Sequence, residues 1–271
     1  MPIQIPATIA DDLFADIRKL IEPGNRYFTP DSREIRELLA RADKLQKANA
    51  FDAFIARSSL YTMCGDRENA LAQIKKAEAL GFNRHAVAAR CIALANLGYF
   101  SEAQEFYSSA ADPTGGFFGK YGRMAVNCGA LAAYERMLRV AEKMQLEVDT
   151  VLTRKILDAL EIFAQVGITD ADLGRYLDVA GEIMREQRLF YVGTSPEFFV
   201  WTKDEADQFV HFTYRVPVEA GTAERLDTEL ITRFVDRFGS TPEPVSITIK
   251  SGLSSNGRIA ERSAAAGPAP R

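Results

Sequence analysis

The sequence predicts an α+β chain of more than one domain. An all-helical superhelix of antiparallel helix pairs comes first, and a small two-layer β-β-α-β domain follows. Two observations carry this reading. Gly65, Ala70, Ile74 and Ala77 recur as Gly98, Ala103, Tyr107 and Ala110 at an offset of 33, and a looser copy follows at Gly129, Tyr134, Leu138 and Ala141, offset by 31. Internal periods of this length mark stacked supersecondary units. At Leu189 the apolar spacing then changes from helical to alternating. The boundaries implied are 1–189 for the helical-repeat domain and 190–250 for the α+β domain. Residues 251–271 are rich in serine, alanine, glycine and proline, have little to bury, and are expected to be a disordered tail.

In chain order, residues 1–7 read as extended. Ile9, Leu13, Ile17 and Leu20 then recur at helical spacing, and Glu22-Pro23-Gly24-Asn25 ends that helix. Asp31 or Ser32 starts a second, with Ile35, Leu38, Leu39, Ala42 and Leu45 as its stripe; this pair is expected to cap the stack. In the first copy Phe54, Ser58 and Tyr61 share one helix face, Gly65-Asp66 breaks the helix, and Ala70, Ile74 and Ala77 stripe the next. Val87, Cys91 and Leu94 open the second copy, and Phe118, Gly122 and Ala125 the third. Residues 112–116, Asp-Pro-Thr-Gly-Gly, interrupt the array between copies two and three. A helix over 148–166 ends at Gly167, and Thr169 or Asp170 caps its partner, striped by Leu173, Leu177, Ala180 and Met184.

Beyond Leu189 the reading is a hairpin. Residues 197–201 form its first strand and 208–218 its second, where Val210, Phe212, Tyr214 and Val216 alternate with His211, Thr213 and Arg215. Thr222 is expected to cap a helix carrying Leu226, Leu230, Ile231, Phe234 and Phe238, which Gly239 ends. Val245, Ile247 and Ile249 make the last strand.

The repeat resembles the tetratricopeptide family, whose units of about 34 residues are antiparallel helix pairs with a W-x2-L-G-x2-Y…A-x3-F…P pattern. Phe54-x2-Arg57-Ser58-x2-Tyr61…Ala70-x3-Ile74…Phe82 carries the likeness. Arg57 and Arg90 stand where the family prefers leucine, Phe82 and Gly115 where it prefers proline, and Tyr134 where it prefers alanine. Two copies match well and one loosely, over about a third of the chain, from residue 51 to 141. The resemblance implies a concave wall lined by the first helix of each pair. It places Asp52, Ser59 and Met63, then His85, Ile92 and Asn96, then Lys120, Arg123 and Asn127 on that wall. The family's grip on C-terminal carboxylates does not transfer, because Ile55, Ser59 and Ala89 stand where it uses lysine and asparagine.

Composition narrows the function. A formal net charge of −4 argues against a general polyanion binder. No secretory leader or membrane-spanning run is legible, so the chain is expected to be cytoplasmic. Cys64, Cys91 and Cys128 are widely spaced without a C-x2-C pair and read as small apolar fillers. His85 and His211 fall in different expected domains, and no phosphate loop, G-x-S-x-G or H-E-x-x-H occurs. No catalytic residue, cofactor or metal ligand is assigned. The expected function is a non-catalytic scaffold or regulator that binds a partner protein or peptide in the groove. His85, Asn96, Lys120, Arg123 and Asn127 are its contacts, and an acidic or carboxylate-bearing segment suits them. The alternatives are a nucleic-acid-associated regulator working through the outer face of the C-terminal sheet, and an unrecognised enzyme. That face would carry His211, Thr213, Arg215, Ser246, Thr248 and Lys250, joined by Phe199 or Trp201 according to register.

Overall fold

Short polar side chains set the starts of the helices. The computed structural model describes residues 6–20, 26–81, 83–110, 118–189, 196–202 and 208–253. Its helices are α1 (Pro6–Leu20), α2 (Arg33–Leu45), α3 (Ala50–Met63), α4 (Arg67–Glu78), α5 (Asn83–Asn96), α6 (Phe100–Ala110), α7 (Phe118–Cys128), α8 (Leu131–Lys143), α9 (Thr150–Val166), α10 (Asp170–Glu186) and α11 (Ala220–Phe238). The strands are β1 (Glu197–Trp201), β2 (Phe209–Val216) and β3 (Val245–Ser251). Ser32, Asn49, Asp66 and Asp149 each accept the amide three residues on, which relieves an orphan donor of the first turn. Thr169 and Asp172 form a full capping box at α10. The expectation for α11 is corrected: it begins at Ala220 after Glu219, which makes no side-chain cap, and Thr222 lies inside its first turn. Phe82, Gly115 and the 112–116 interruption, residues 193–195 and 203–207, and the tail from 254 lie outside the described residues.

The glycines of the repeat share one conformation. Gly65, Gly98 and Gly129 have φ of +73°, +74° and +74°. The residue after each donates its amide back across the turn: Asp66 to Tyr61, Tyr99 to Leu94 and Ala130 to Ala125. Only glycine takes this left-handed angle cheaply, so its recurrence follows from the geometry of the turn. Helix α3 then packs on α4 and α5 on α6, and the first helices also touch, α3 with α5 and α5 with α7. Ala70, Ile74, Ala77, Ala103, Tyr107, Tyr134, Leu138 and Ala141 are buried. Arg57 and Arg90 reach back to the preceding helix. Arg57 meets Asp43 of α2 at 2.5 Å, Arg90 meets Glu78 of α4 at 2.8 Å, and their guanidinium groups lie over the Phe54 and Phe106 rings. An arginine thus fills a leucine position with its stem and pairs its head at the rim.

Helix α10 departs from simple pairing. It packs on α6, with further contacts to α8, α11 and β3, rather than lying along α9. Its side chains supply caps that α6 and α8 lack. Asp178 accepts the amides of Phe100 and Ser101 at 2.7 and 3.2 Å, and Asp170 accepts those of Ala132 and Ala133 at 2.9 and 3.0 Å. Gly181 lets this helix touch the turn at Gly98, whose carbonyl accepts a bond from Arg185. The Arg185 guanidinium lies 4.0 Å from the centroid of the Tyr99 ring.

The sheet has the order β1-β2-β3, with β1 antiparallel and β3 parallel to the central β2. A parallel neighbour requires a crossover, and α11 provides it. One face, made by Phe198, Val210, Phe212, Tyr214, Val216, Ile247 and Ile249, is buried. The apolar core runs across Leu189 without a break, from Cys91 through α10 to Ile249. The chain is therefore mostly helical with a small three-stranded sheet near its C-terminus, an α+β architecture. No helix among the described residues is long and apolar enough to cross a membrane.

Candidate binding surfaces

The wall expected on the first helices is reshaped at its first copy. Met63 is buried, because α1 lies across α3 and packs Leu13 and Ile17 against the face of Ala56, Leu60 and Met63. Ser59 is half-buried, and its hydroxyl donates to the Ile55 carbonyl at 3.1 Å. Farther along, α5 and α7 remain neighbours. His85 is exposed at the start of α5, its ring edge-on to Phe51 with centroids 6.3 Å apart. Ile92 is 49% exposed on the same face about two turns onward, and Asn96 is half-buried at the C-terminal end of α5. Eleven residues separate His85 from Asn96, about 16 Å along a helix. On α7, Arg123 is exposed and Asn127 half-buried, with its Oδ1 buried and without a hydrogen-bond partner. Lys120 lies on α7, and its side chain is outside what is described. Near His85, Asp52 is held above the usual carboxylate range by burial and by Asp11 of α1, against the opposing pull of its bond from Asn49 and of His85.

The second surface is the outer face of the sheet, on which the register places every expected residue. His211 pairs with Phe199 on one side and Ser246 on the other, Thr213 with Glu197 and Thr248, and Arg215 with Lys250. At the centre, His211 bonds Ser246 Oγ through Nδ1 at 2.9 Å and Thr213 Oγ1 through Nε2 at 2.7 Å, with Thr248 Oγ1 3.3 Å from Nε2. Burial, and then repulsion from Lys250, hold the imidazole below its ordinary pKa, so it is neutral near pH 7. Arg215 is engaged by both carboxylate oxygens of Glu197, at 2.6 and 3.2 Å. At the other end Phe199, Trp201 and Phe209 are 45%, 37% and 38% exposed, and the Trp201 and Phe209 rings lie within 14° of parallel. Both Phe199 and Trp201 therefore face outward. Phe209 was missed by the sequence reading, although the alternation of His211, Thr213 and Arg215 extends back to it.

The cysteines and acidic side chains have their own surroundings. All three cysteines are buried and free. Burial pushes the Cys64 thiol up to about 11 and that of Cys128 upward as well, which keeps both protonated and suits apolar fillers. Among the described residues no three His, Cys, Asp or Glu side chains converge as a metal site would require. Asp170 and Asp172, two residues apart in the sequence, serve two different helix caps. No protein-family model, curated protein or solved structure matches this chain.

Proposed function

We propose that this protein is a cytoplasmic, non-catalytic scaffold or regulator that binds a partner protein or peptide along the wall of α5 and α7. In this reading the helix pairs form a tetratricopeptide-like array, supported by the recurrence of one glycine turn at Gly65, Gly98 and Gly129. The single observation that carries the binding site is the exposed, mixed surface of two adjacent first helices. His85, Ile92 and Arg123 face solvent there, and Asn96 and Asn127 offer amides beside them. With Lys120 and Arg123 supplying positive charge on a chain that is acidic overall, an acidic or carboxylate-bearing segment is the natural ligand.

Partners recovered from native lysate and identified by mass spectrometry supply the ligand for the test. Lys120→Glu combined with Arg123→Glu is expected to weaken that partner by at least ~2 kcal/mol if the charges are desolvated in the complex. Circular dichroism should be unchanged. Equal affinity in a folded double variant moves the site off this wall. A second reading, a nucleic-acid-associated regulator, draws on the exposed aromatics of β1 and β2. Recovery of nuclease-sensitive RNA without a specific protein would put that reading first.

A further inference from the structure

An open cavity of about 730 Å³ lies where Trp201 ends β1, Phe209 opens β2 and Ser246 follows the first residue of β3, with Val166 of α9 closing one side. Its lining divides by chemistry. Trp201 and Phe209, cross-strand partners with centroids 6.4 Å apart, give near-parallel aromatic faces. The polar groups are acceptors: Gln208 Oε1 is buried without a hydrogen-bond partner, and the exposed Glu243 makes no ion pair with any described residue. Ser246 Oγ adds a hydroxyl already bonded to His211. None of the described lining residues is basic. On the same sheet face, Arg215 is committed to Glu197, and Lys250 stands four residues beyond Ser246, about 13 Å away.

These observations discriminate between ligands. A phosphate chain would find aromatic rings to stack on but a carboxylate in place of counter-charge, and nucleic-acid binding draws most of its affinity from that counter-charge. A flat cation satisfies every group at once. A guanidinium stacks on the faces of Trp201 and Phe209 and presents rigid N–H donors to Gln208 Oε1 and to Glu243. The chain's net charge of −4 favours encounter with a basic partner. We propose that this cavity binds an arginine side chain of a partner protein. The site stands apart from the α5 and α7 wall and does not depend on it.

Trp201 is the only tryptophan of the chain, so its emission reports on this cavity directly. The full chain is titrated with a peptide of four Arg-Gly-Gly repeats and, separately, with a single-stranded oligouridylate. A saturable change in emission with the peptide is expected. Glu243→Gln and Gln208→Leu should each weaken it tenfold or more, while Glu224→Gln, which neutralises an exposed carboxylate on α11, should bind as wild type. Glu243→Gln binding like wild type with unchanged circular dichroism would overturn the proposal. So would an equal loss in Glu224→Gln, which would mean unspecific attraction to an acidic surface. Saturation by oligouridylate but not by the peptide would hand the face to nucleic acid. The tail carries Arg258, Arg262 and Arg271. If replacing all three by glutamine tightens peptide binding more than tenfold, the chain's own tail competes for the cavity, and the assignment to a partner fails.

Discussion

The two ends of the molecule bury their apolar residues differently. From α1 to the middle of α5 the buried side chains fall into two small clusters, one of α1, α2 and α3 and one joining α3, α4 and α5. From Cys91 onward a single cluster runs through α10 and the sheet to Ile249. The capping differs in the same way. Asp66 caps α4 from three residues away, whereas Asp178 caps α6 from 78 residues away. The first region is held mainly by nearest neighbours, as in stacked repeats, where each unit opens with its own free energy. Among the described residues its backbone is tied to the distant C-terminal region where Arg26 and Tyr27 bridge to residues 188 and 189. The second is tied together by α10, which was not paired along α9 but folded back across the turns it caps.

The strongest way to break this comparison is to push α10 off its neighbours. A Cβ at Gly181 would overlap the Gly98 carbonyl oxygen and lie 2.9 Å from its carbon, and both are backbone atoms with nowhere to move. Gly181→Ala should therefore destabilise by about 3 kcal/mol or more, above the usual range for overpacking. The control is Gly221→Ala in α11, where nothing lies within 4 Å of the new methyl. That change should stabilise by about 0.5–1 kcal/mol, since alanine loses less entropy in a helix. Urea unfolding separates the two, and a neutral Gly181→Ala would show that the close approach of α10 does not hold the C-terminal region together.

Removing the caps tests the same contrast more gently. Asp178→Ala leaves the amides of Phe100 and Ser101 without their acceptor and should cost about 2 kcal/mol, against about 1 kcal/mol for Asp66→Ala. Hydrogen exchange should sharpen the difference. Asp66→Ala should speed exchange mainly in α3 and α4, while Asp178→Ala should loosen α6, α10 and the sheet as one unit. Exchange confined to α6 in the second variant would mean that the continuous core does not act cooperatively.

What was legible in the sequence follows the same division. The helix boundaries of α3 to α6 could be read because their signals are local: Asp66 beside its amide and a glycine at each left-handed turn. The alternation of β2 likewise placed the outer sheet face residue by residue. The trans caps were not legible, since nothing near Asp170 or Asp178 in sequence marks the helix each one serves. Met63 was misplaced on the wall because a repeat pattern says nothing of a neighbouring helix such as α1 lying over it. The cavity escaped too: Val166, Trp201, Gln208 and Glu243 share no spacing, and only the packing of α9 beside three strand ends brings them together.

The finest test of local against distant capping lies in two acids of one helix turn. Asp172 is half-buried, and the Thr169 hydroxyl and amide, with Arg175, hold its pKa below the ordinary 3.8. Asp170, two residues earlier, is raised above 3.8 because burial outweighs the amides of Ala132 and Ala133 that it accepts. A depressed carboxylate contributes stability above its unfolded value that is lost as pH falls through the folded value. A raised one contributes stability below the unfolded value that is lost as pH rises through the folded value. Acidification should therefore protonate Asp170 first, which carboxyl carbon titration by NMR would resolve. The stability of asparagine variants should move in opposite directions. Asp172→Asn should trail wild type most at pH 7, by less than about 1 kcal/mol for a pair at the protein surface, and converge on it as pH falls through the depressed folded value. Asp170→Asn should compare best with wild type at pH 7, where the buried charge is present, and fall behind as acid removes that penalty. If both variants converge on wild type in acid, Asp170 behaves as an ordinary surface cap, and the distant capping of α8 is no different in kind from the local capping of α10.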